Sequence, residues 1–180
     1  HGNIQLIPES AIDKKLTVRD VLSALPALSQ GQTDSRDPLH RSAGLTEINL
    51  KRIRQSKPGG TWRDWDESLL PECYKKRSGK TFGSVYGRME WDKPSPTVTT
   101  QFYSFGTGRY GHPEQDRAIS LREGALLQTF PRNYKFFEDV DKITIGTISR
   151  HIGNAVPVDL GKIIGMSINK HLENITNGRR

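Results

Sequence analysis

The chain has 180 residues, of which 33% are hydrophobic, and it carries a formal net charge of +7 at pH 7. That length fits one domain, or one domain with an appendage, and the low hydrophobic content predicts a modest core. The basic balance, with an isoelectric point near 9.6, favours a polyanionic partner such as nucleic acid. No apolar run approaches the ~18 residues of a membrane helix, no signal peptide is visible, and the single cysteine excludes an internal disulfide or a cysteine zinc cluster.

The amino-terminal segment differs from the rest because residues 1–15 show no clear hydrophobic period. The chain opens with His1, and its first methionine is Met89. Since a natural reading frame needs a starting methionine, we expect this sequence to have been cut out of a longer frame or freed from a tag.

Two helices are predicted in the first third of the chain. Thr17 can act as the N-cap of the first helix, with Asp20 as its capping-box partner, and this helix should stop near Pro26. Thr46 marks the start of the second helix, which should run to about Gln55. The segment between them is polar and rich in turn-forming residues, so a loop is expected there.

Residues 61–111 have a different character, since ten of the fourteen aromatic residues fall in this stretch and glycines punctuate it. Thr97-Val98-Thr99-Thr100 has the composition of a β-strand. We therefore predict short twisted strands joined by glycine loops. With the flanking helices, this gives an α/β fold class (mixed α+β) with a small irregular sheet.

The last third is predicted to be helical. Ser120 and Glu123 form a capping box for a helix that ends at Phe130-Pro131. A second helix should close at Gly153 in a left-handed conformation, and Pro157 suits the first turn of a third. The third helix has an apolar stripe at spacings of three and four residues, made of Leu160, Ile163, Ile164, Ile168 and Leu172.

Two segments of this helical third resemble the closing motifs of carbon-5 cytosine DNA methyltransferases. The first is Ser-Leu-Arg-Glu-Gly-Ala-Leu-Leu-Gln-Thr-Phe-Pro at 120–131, and the second is Ser-Arg-His-Ile-Gly-Asn-Ala-Val-Pro-Val-Asp-Leu at 149–160. Residues 86–100 support the match, and 17–65 look like recognition domains in one bacterial branch of the family. The resemblance covers most of residues 17–172.

The resemblance implies two domains and a cofactor. Residues 1–140 would form the target-recognition domain, and 141–180 would complete the S-adenosyl-L-methionine domain. Asn154, Ala155 and Val156 would contact S-adenosyl-L-methionine. Judged on the residues alone, the same segment is a polar bend between two helices, and that purely structural interpretation stays open.

The resemblance also implies binding of double-stranded DNA. Thr97-Val98 matches the threonine–aliphatic pair of the recognition domain, and residues 105–110 match its glycine-rich loop. Glycines let the backbone approach DNA closely, and arginine can bond two acceptors of guanine. An arginine near a tryptophan can equally pack on it without touching DNA. The predicted DNA-binding residues are Arg88, Thr97, Val98, Thr99, Gly106, Gly108 and Arg109.

No catalytic residue is predicted in this chain. The family nucleophile directly follows a proline, whereas Cys73 follows a glutamate, and no glycine-rich cofactor loop is present. Arg122 and Glu123 are assigned to scaffold, paired inside the framework, and Gly124 stands where the family commonly has alanine. No metal site is predicted, because the histidines are scattered and lack a second ligand cluster at a sensible spacing.

Three functional hypotheses remain open. The preferred one is the recognition and carboxy-terminal portion of a cytosine methyltransferase, inactive without a catalytic half and working at the nucleoid of a bacterial cytoplasm. The alternative is a stand-alone DNA-binding module or truncated remnant; a purely structural interaction protein is a third possibility. The apolar stripe of the last helix separates the first two, because a catalytic domain should cover it, whereas a stable monomer would hide it against residues 17–56.

Overall fold

The computed structural model describes residues 4–5, 15–76, 79–81, 83–138 and 144–177. Regular structure within these ranges is helical. The α-helices are α1 (Val18–Leu22), α2 (Glu47–Gln55), α3 (Glu72–Lys75), α4 (Leu121–Leu127), α5 (Ile145–Asn154) and α6 (Val158–Asn177). Short 3-10 turns occur at Trp62–Asp64, Glu67–Leu69, Gly79–Thr81 and Phe105–Thr107. In the part of the chain covered, no helix has both the length and the apolar character needed to cross a membrane.

The predicted α/β fold class with a small sheet is wrong for these ranges, which contain no β-strand. Extended segments meet only at isolated bridges, namely Thr33–Arg41, Pro58–Arg88, Arg88–Gly111 and Gly111–Ala118. The strand-like residues 97–100 pair with no neighbour, because side chains and turns take up their polar groups. The Tyr110 hydroxyl donates to the carbonyl of Thr97 at 2.8 Å, and the carbonyl of Thr99 accepts from the amide of Phe102. Strand propensity is therefore overridden by tertiary contacts.

The helix starts are confirmed where a capping residue predicted them. Thr17 with Asp20 and Ser120 with Glu123 form complete capping boxes, and Thr46 caps α2, which ends at Gln55. The predicted left-handed Gly153 is wrong, because α5 continues through it to Asn154. A glycine is needed there for a different reason: a Cβ atom would collide with the backbone at Thr99–Thr100.

Two hydrophobic clusters hold these elements together. In the first, α1 and α5 both pack on α4 around Phe102, which is fully buried. The second lies beneath α2 and collects the aromatic residues of the glycine-rich stretch, including Trp62, Trp65 and Phe105. Trp65 and Phe105 lie 6.2 Å apart between ring centroids. Because both clusters border the segment 86–111, the loop predicted to contact DNA lies on a packed base.

The start of α4 contains a buried ion pair. Both carboxylate oxygens of Glu123 accept from the guanidinium of Arg117 at 2.7 Å, and one of them also accepts from the amide of Ser120. Burial raises the pKa of Glu123, but the hydrogen bonds and charge of Arg117 outweigh it and hold that pKa below its usual range. Arg122 forms a second, bidentate pair with Asp37 at 2.6 and 2.9 Å. The prediction that Arg122 and Glu123 are paired inside the framework is confirmed, and their assignment to scaffold stays a prediction.

His112 lies against this ion pair and is held neutral. Its Nδ1 accepts from the amides of Glu114 and Gln115, and its Nε2 lies 3.8 Å from Glu123. Burial lowers the pKa of His112 to about 4 from an ordinary value of 6.5. The unfolded chain therefore binds a proton here at a pH where the folded chain does not.

We predict that the free energy of unfolding falls by about 2 kcal/mol between about pH 7 and about pH 4.5, because only the unfolded state protonates His112 in that window. The contribution of His112 to the free energy of unfolding is fully present above the pKa of the unfolded state, and it declines as the pH falls below that value. Urea denaturation at both pH values measures this, and His112→Asn should flatten the dependence. His151→Asn is the matched control, since that histidine is exposed on α5. An unchanged slope in His112→Asn would contradict the assignment.

A second prediction concerns Gly124 in α4. A Cβ atom at this position would overlap the ring of Phe102, so Gly124→Ala should destabilise the fold by about 1–3 kcal/mol through overpacking. That loss opposes the helix-propensity gain of ~1 kcal/mol that alanine brings. Gly165→Ala is the matched control, because a Cβ atom there meets nothing within 4 Å, and it should stabilise. Thermal unfolding of both variants measures the difference, and a stabilised Gly124→Ala would refute the packing argument.

Candidate nucleic-acid and cofactor surfaces

The residues predicted to contact DNA are brought together by Tyr110. Its hydroxyl donates to the carbonyl of Thr97 at 2.8 Å and lies 3.0 Å from the hydroxyl of Thr99. The glycine-rich loop leads directly into Tyr110, so the bond fixes the loop against the threonine segment. Val98 between the two threonines is buried and belongs to the first hydrophobic cluster. Thr97 and Thr99 are exposed beside the loop.

The two loop glycines are packed against aromatic rings. A Cβ atom at Gly106 would lie 3.2 Å from the ring of Tyr86, and one at Gly108 would overlap the ring of Tyr110. Gly106 follows Phe105 in a 3-10 turn, and Gly108 is extended, with φ 178°. The glycines therefore have a packing role in this chain. Backbone contact with DNA at these positions stays a prediction.

The two predicted arginines occupy very different environments. Arg88 is 5% exposed, and its guanidinium is engaged entirely within the protein. It donates to the carbonyls of Ile53, Ser56, His112 and Gln115 and to the carboxylate of Asp116. Arg109 is exposed, and its aliphatic part packs over Gly87. Of the two, Arg109 is the one whose guanidinium faces solvent.

Arg109 shares a cavity of about 280 Å³ with two charged residues that sequence reasoning missed. Lys93 and Glu90 both line it and are exposed. Cationic side chains suit phosphate and guanine, and a carboxylate can accept from the amino group of cytosine. One sequence feature could have pointed to this cavity. Lys93 directly precedes the rigid segment Pro94-Ser95-Pro96, which forms another wall of the cavity.

The residues predicted to contact S-adenosyl-L-methionine lie at the junction of α5 and α6. Asn154 ends α5 and is exposed, and the amide of Ala155 donates to the carbonyl of Ile152 at 3.2 Å. Val156 is 61% exposed. The exposed side-chain amide of Asn154 and the exposed side chain of Val156 together offer a mixed polar and apolar surface. Contact of these residues with S-adenosyl-L-methionine stays a prediction.

Helix α6 follows this junction, and four of the five residues of its predicted apolar stripe, Leu160, Ile164, Ile168 and Leu172, are exposed, whereas Ile163 is half-buried. The exposed large apolar residues on it are Val158, Leu160, Ile164, Met166, Ile168 and Leu172. Ser167, which lies on the same face three residues after Ile164, is buried. The exposed part of the stripe is thus not packed against residues 17–56. A self-contained module would be expected to bury the stripe there.

Cys73 lies in α3, is exposed and directly follows Glu72. The next residue, Tyr74, packs against the second hydrophobic cluster. The ring of Tyr74 stacks on Trp62 at 4.7 Å between centroids. Cys73 therefore lies on α3, whereas the residues predicted to contact the cofactor lie at the junction of α5 and α6.

Comparisons with known proteins agree with the motifs. The family profile of the C-5 cytosine-specific DNA methylases matches residues 5–170. The type II methylase M.HgiDII of Herpetosiphon aurantiacus is 53% identical over 99% of this chain and 51% of its own length. The type II methyltransferase M.Eco47II of Escherichia coli is 33% identical over 92% of this chain and 38% of its own length.

A plant relative, DNA (cytosine-5)-methyltransferase 3 of Arabidopsis thaliana, is 31% identical over 90% of this chain and 13% of its own length. The chain thus spans about half, or less, of the length of these curated relatives. The profile match covers the glycine-rich loop, both closing motifs and most of α6. The chain therefore belongs to the family of C-5 cytosine-specific DNA methylases.

Proposed function

We propose that this chain is the DNA-recognition and carboxy-terminal portion of a DNA cytosine-5 methyltransferase, which methylates cytosine in a specific duplex site only together with a catalytic portion. The observation that carries this proposal is the exposed apolar stripe of α6, in a chain that spans about half of a 53% identical methylase. We expect the complete enzyme to act at the nucleoid of a bacterial cytoplasm, where duplex DNA is its substrate.

The apolar stripe supports the need for a catalytic portion. Helix α6 is 20 residues long and exposes six large apolar side chains. Four of them, Leu160, Ile164, Ile168 and Leu172, follow one another at four-residue spacing along one face, and contiguous apolar surface of this kind usually marks a contact with another protein unit. A stand-alone DNA-binding module would gain stability by folding this face inward. The stripe therefore favours the methyltransferase portion over the stand-alone module.

In the proposed complex, Arg109 and Lys93 are the residues that contact DNA. They are exposed cations on one cavity, and Thr97 and Thr99 border the loop that carries Arg109. Arg88 acts indirectly, since its buried guanidinium ties the backbone at Ile53 and Ser56 to that at His112 and Gln115. It holds the base of the recognition loop in one conformation.

For the cofactor, Asn154, Ala155 and Val156 would form one wall of the S-adenosyl-L-methionine site. Bound S-adenosyl-L-methionine supplies the methyl group, and the residues of this chain hold and orient it. The amide of Asn154 can hydrogen-bond polar groups of the ligand, and Val156 can cover an apolar face. The nucleophile that attacks the cytosine ring would come from the catalytic portion, after the base has left the helix stack.

The proposal predicts complementation. We expect no transfer of labelled methyl groups to duplex DNA by this chain alone. Joined to the amino-terminal portion of M.HgiDII, the relative that it matches at 53% identity, the chain should restore transfer. The amino-terminal portion alone is the control. Transfer by the isolated chain would overturn the assignment of its site, and an inactive fusion that still binds DNA would favour the stand-alone module.

The two exposed cations give a separate prediction. Arg109→Gln should weaken binding to the specific duplex by about 1–3 kcal/mol and relax specificity at one base pair. Lys93→Gln should weaken binding to all duplexes alike, and it should lower the slope of log affinity against log salt concentration by about one. Selection of duplexes from a randomised pool at two salt concentrations measures both effects. Lys170→Gln, an exposed residue of α6, is the matched control. Equal losses in all three variants would mean that only net charge matters.

A further inference from the structure

The dipeptide Gln128-Thr129, which directly follows α4, contacts both sides of the junction between α5 and α6. The side-chain amide of Gln128 donates to the carbonyls of Ile152 at 3.0 Å and Ala155 at 3.3 Å. The backbone carbonyl of Gln128 accepts from the amide of Val158 at 3.3 Å. These bonds span 24–30 residues of sequence and enclose the predicted cofactor turn at 154–156.

Thr129 completes this arrangement at the start of α6. Its hydroxyl accepts from the amide of Asp159 at 3.0 Å. An N-cap serine or threonine normally supplies such a bond to the second or third residue of its own helix. The residue before α6 is Pro157, whose side chain has no acceptor. Thr129 therefore caps α6 from a different element of the fold.

The backbone of Thr129 shows that the position is specifically held. Its φ is +61°, in the left-handed region that β-branched residues rarely adopt. Strain of this kind persists only where the surroundings over-determine the conformation. Here the Thr129 amide donates to the carbonyl of Leu126 at 2.9 Å, and the next amide, that of Phe130, donates to Ala125. This backbone turn directs the Thr129 hydroxyl towards α6.

We propose that Gln128 and Thr129 are positioning residues for the S-adenosyl-L-methionine turn at 154–156, an inference that rests on the proposed function. Gln128 satisfies carbonyls at the end of α5, and both residues satisfy amides at the start of α6, which helix ends otherwise leave unpaired. The pair thereby fixes the angle between α5 and α6. Because it belongs to the same segment as α4, it also ties the cofactor turn to the recognition core.

The first test uses the chain by itself. Hydrogen exchange should show the Asp159 amide exchanging about tenfold faster in Thr129→Val than in the native chain, because the capping acceptor is lost. Thr129→Ser keeps the hydroxyl and should retain the native rate. Amides of α4 serve as an internal control for global unfolding. Native protection of Asp159 in Thr129→Val would overturn the capping role.

The second test uses the fusion with the amino-terminal portion of M.HgiDII. Thr129→Val and Gln128→Met should each raise the KM for S-adenosyl-L-methionine about tenfold, the cost of one or two hydrogen bonds, and leave kcat and the Kd for DNA within about twofold. Thr129→Ser should restore the native KM. An unchanged KM, or equal losses of DNA and cofactor affinity, would overturn the proposal. A fusion inactive even with the native pair would count against the proposed function, while the exchange result would still decide whether the pair holds the junction.

Discussion

The buried pair of Arg117 and Glu123 is the interaction on which the rest of the structure depends. Glu123 caps the start of α4 through the amide of Ser120 and is neutralised by two hydrogen bonds from Arg117. Removing one partner of such a pair leaves an uncompensated buried charge and costs about 3–5 kcal/mol. Since α1 and α5 pack on α4, this pair sets the position of the first hydrophobic cluster and the direction in which α4 leads into Gln128. The segment that carries this pair is thus linked by packing both to α1 and to α5.

The helices could be predicted from sequence because their signals are local. A capping threonine or serine three residues before an acidic partner fixes where α1 and α4 begin. Local signals could not show that the predicted sheet is missing from the described residues. The segment 97–100 has strand composition, but the partner that uses its carbonyl is the hydroxyl of Tyr110, 13 residues from Thr97. Propensity does not contain that information.

In the candidate site, too, some features could be predicted from local sequence, whereas others depend on tertiary contacts. Arg88 and Arg109 both follow a glycine and look equivalent in sequence, yet one is buried and the other is exposed. The carbonyls that bury Arg88 come from segments 24–35 residues away, so no local pattern could separate the two. The same applies to Gln128, whose side-chain partners Ile152 and Ala155 lie at the carboxy-terminal end of α5 and just beyond it, 24 and 27 residues away. Family motifs locate such residues, and only the packing distinguishes a ligand contact from a support.

The close approach of Gly153 to the backbone at Thr99–Thr100 has a consequence for how such a chain can diversify. One end of the recognition loop is fixed against α5, and the other is fixed by Tyr110, whose hydroxyl reaches back to Thr97. The intervening residues 101–109 span two anchored points and carry the exposed Arg109. Loop length and side chains there can change while the anchors stay the same. The architecture thus separates a segment that can be exchanged from the frame that holds it. Under the proposed function, such an exchange would change the DNA sequence that the chain reads.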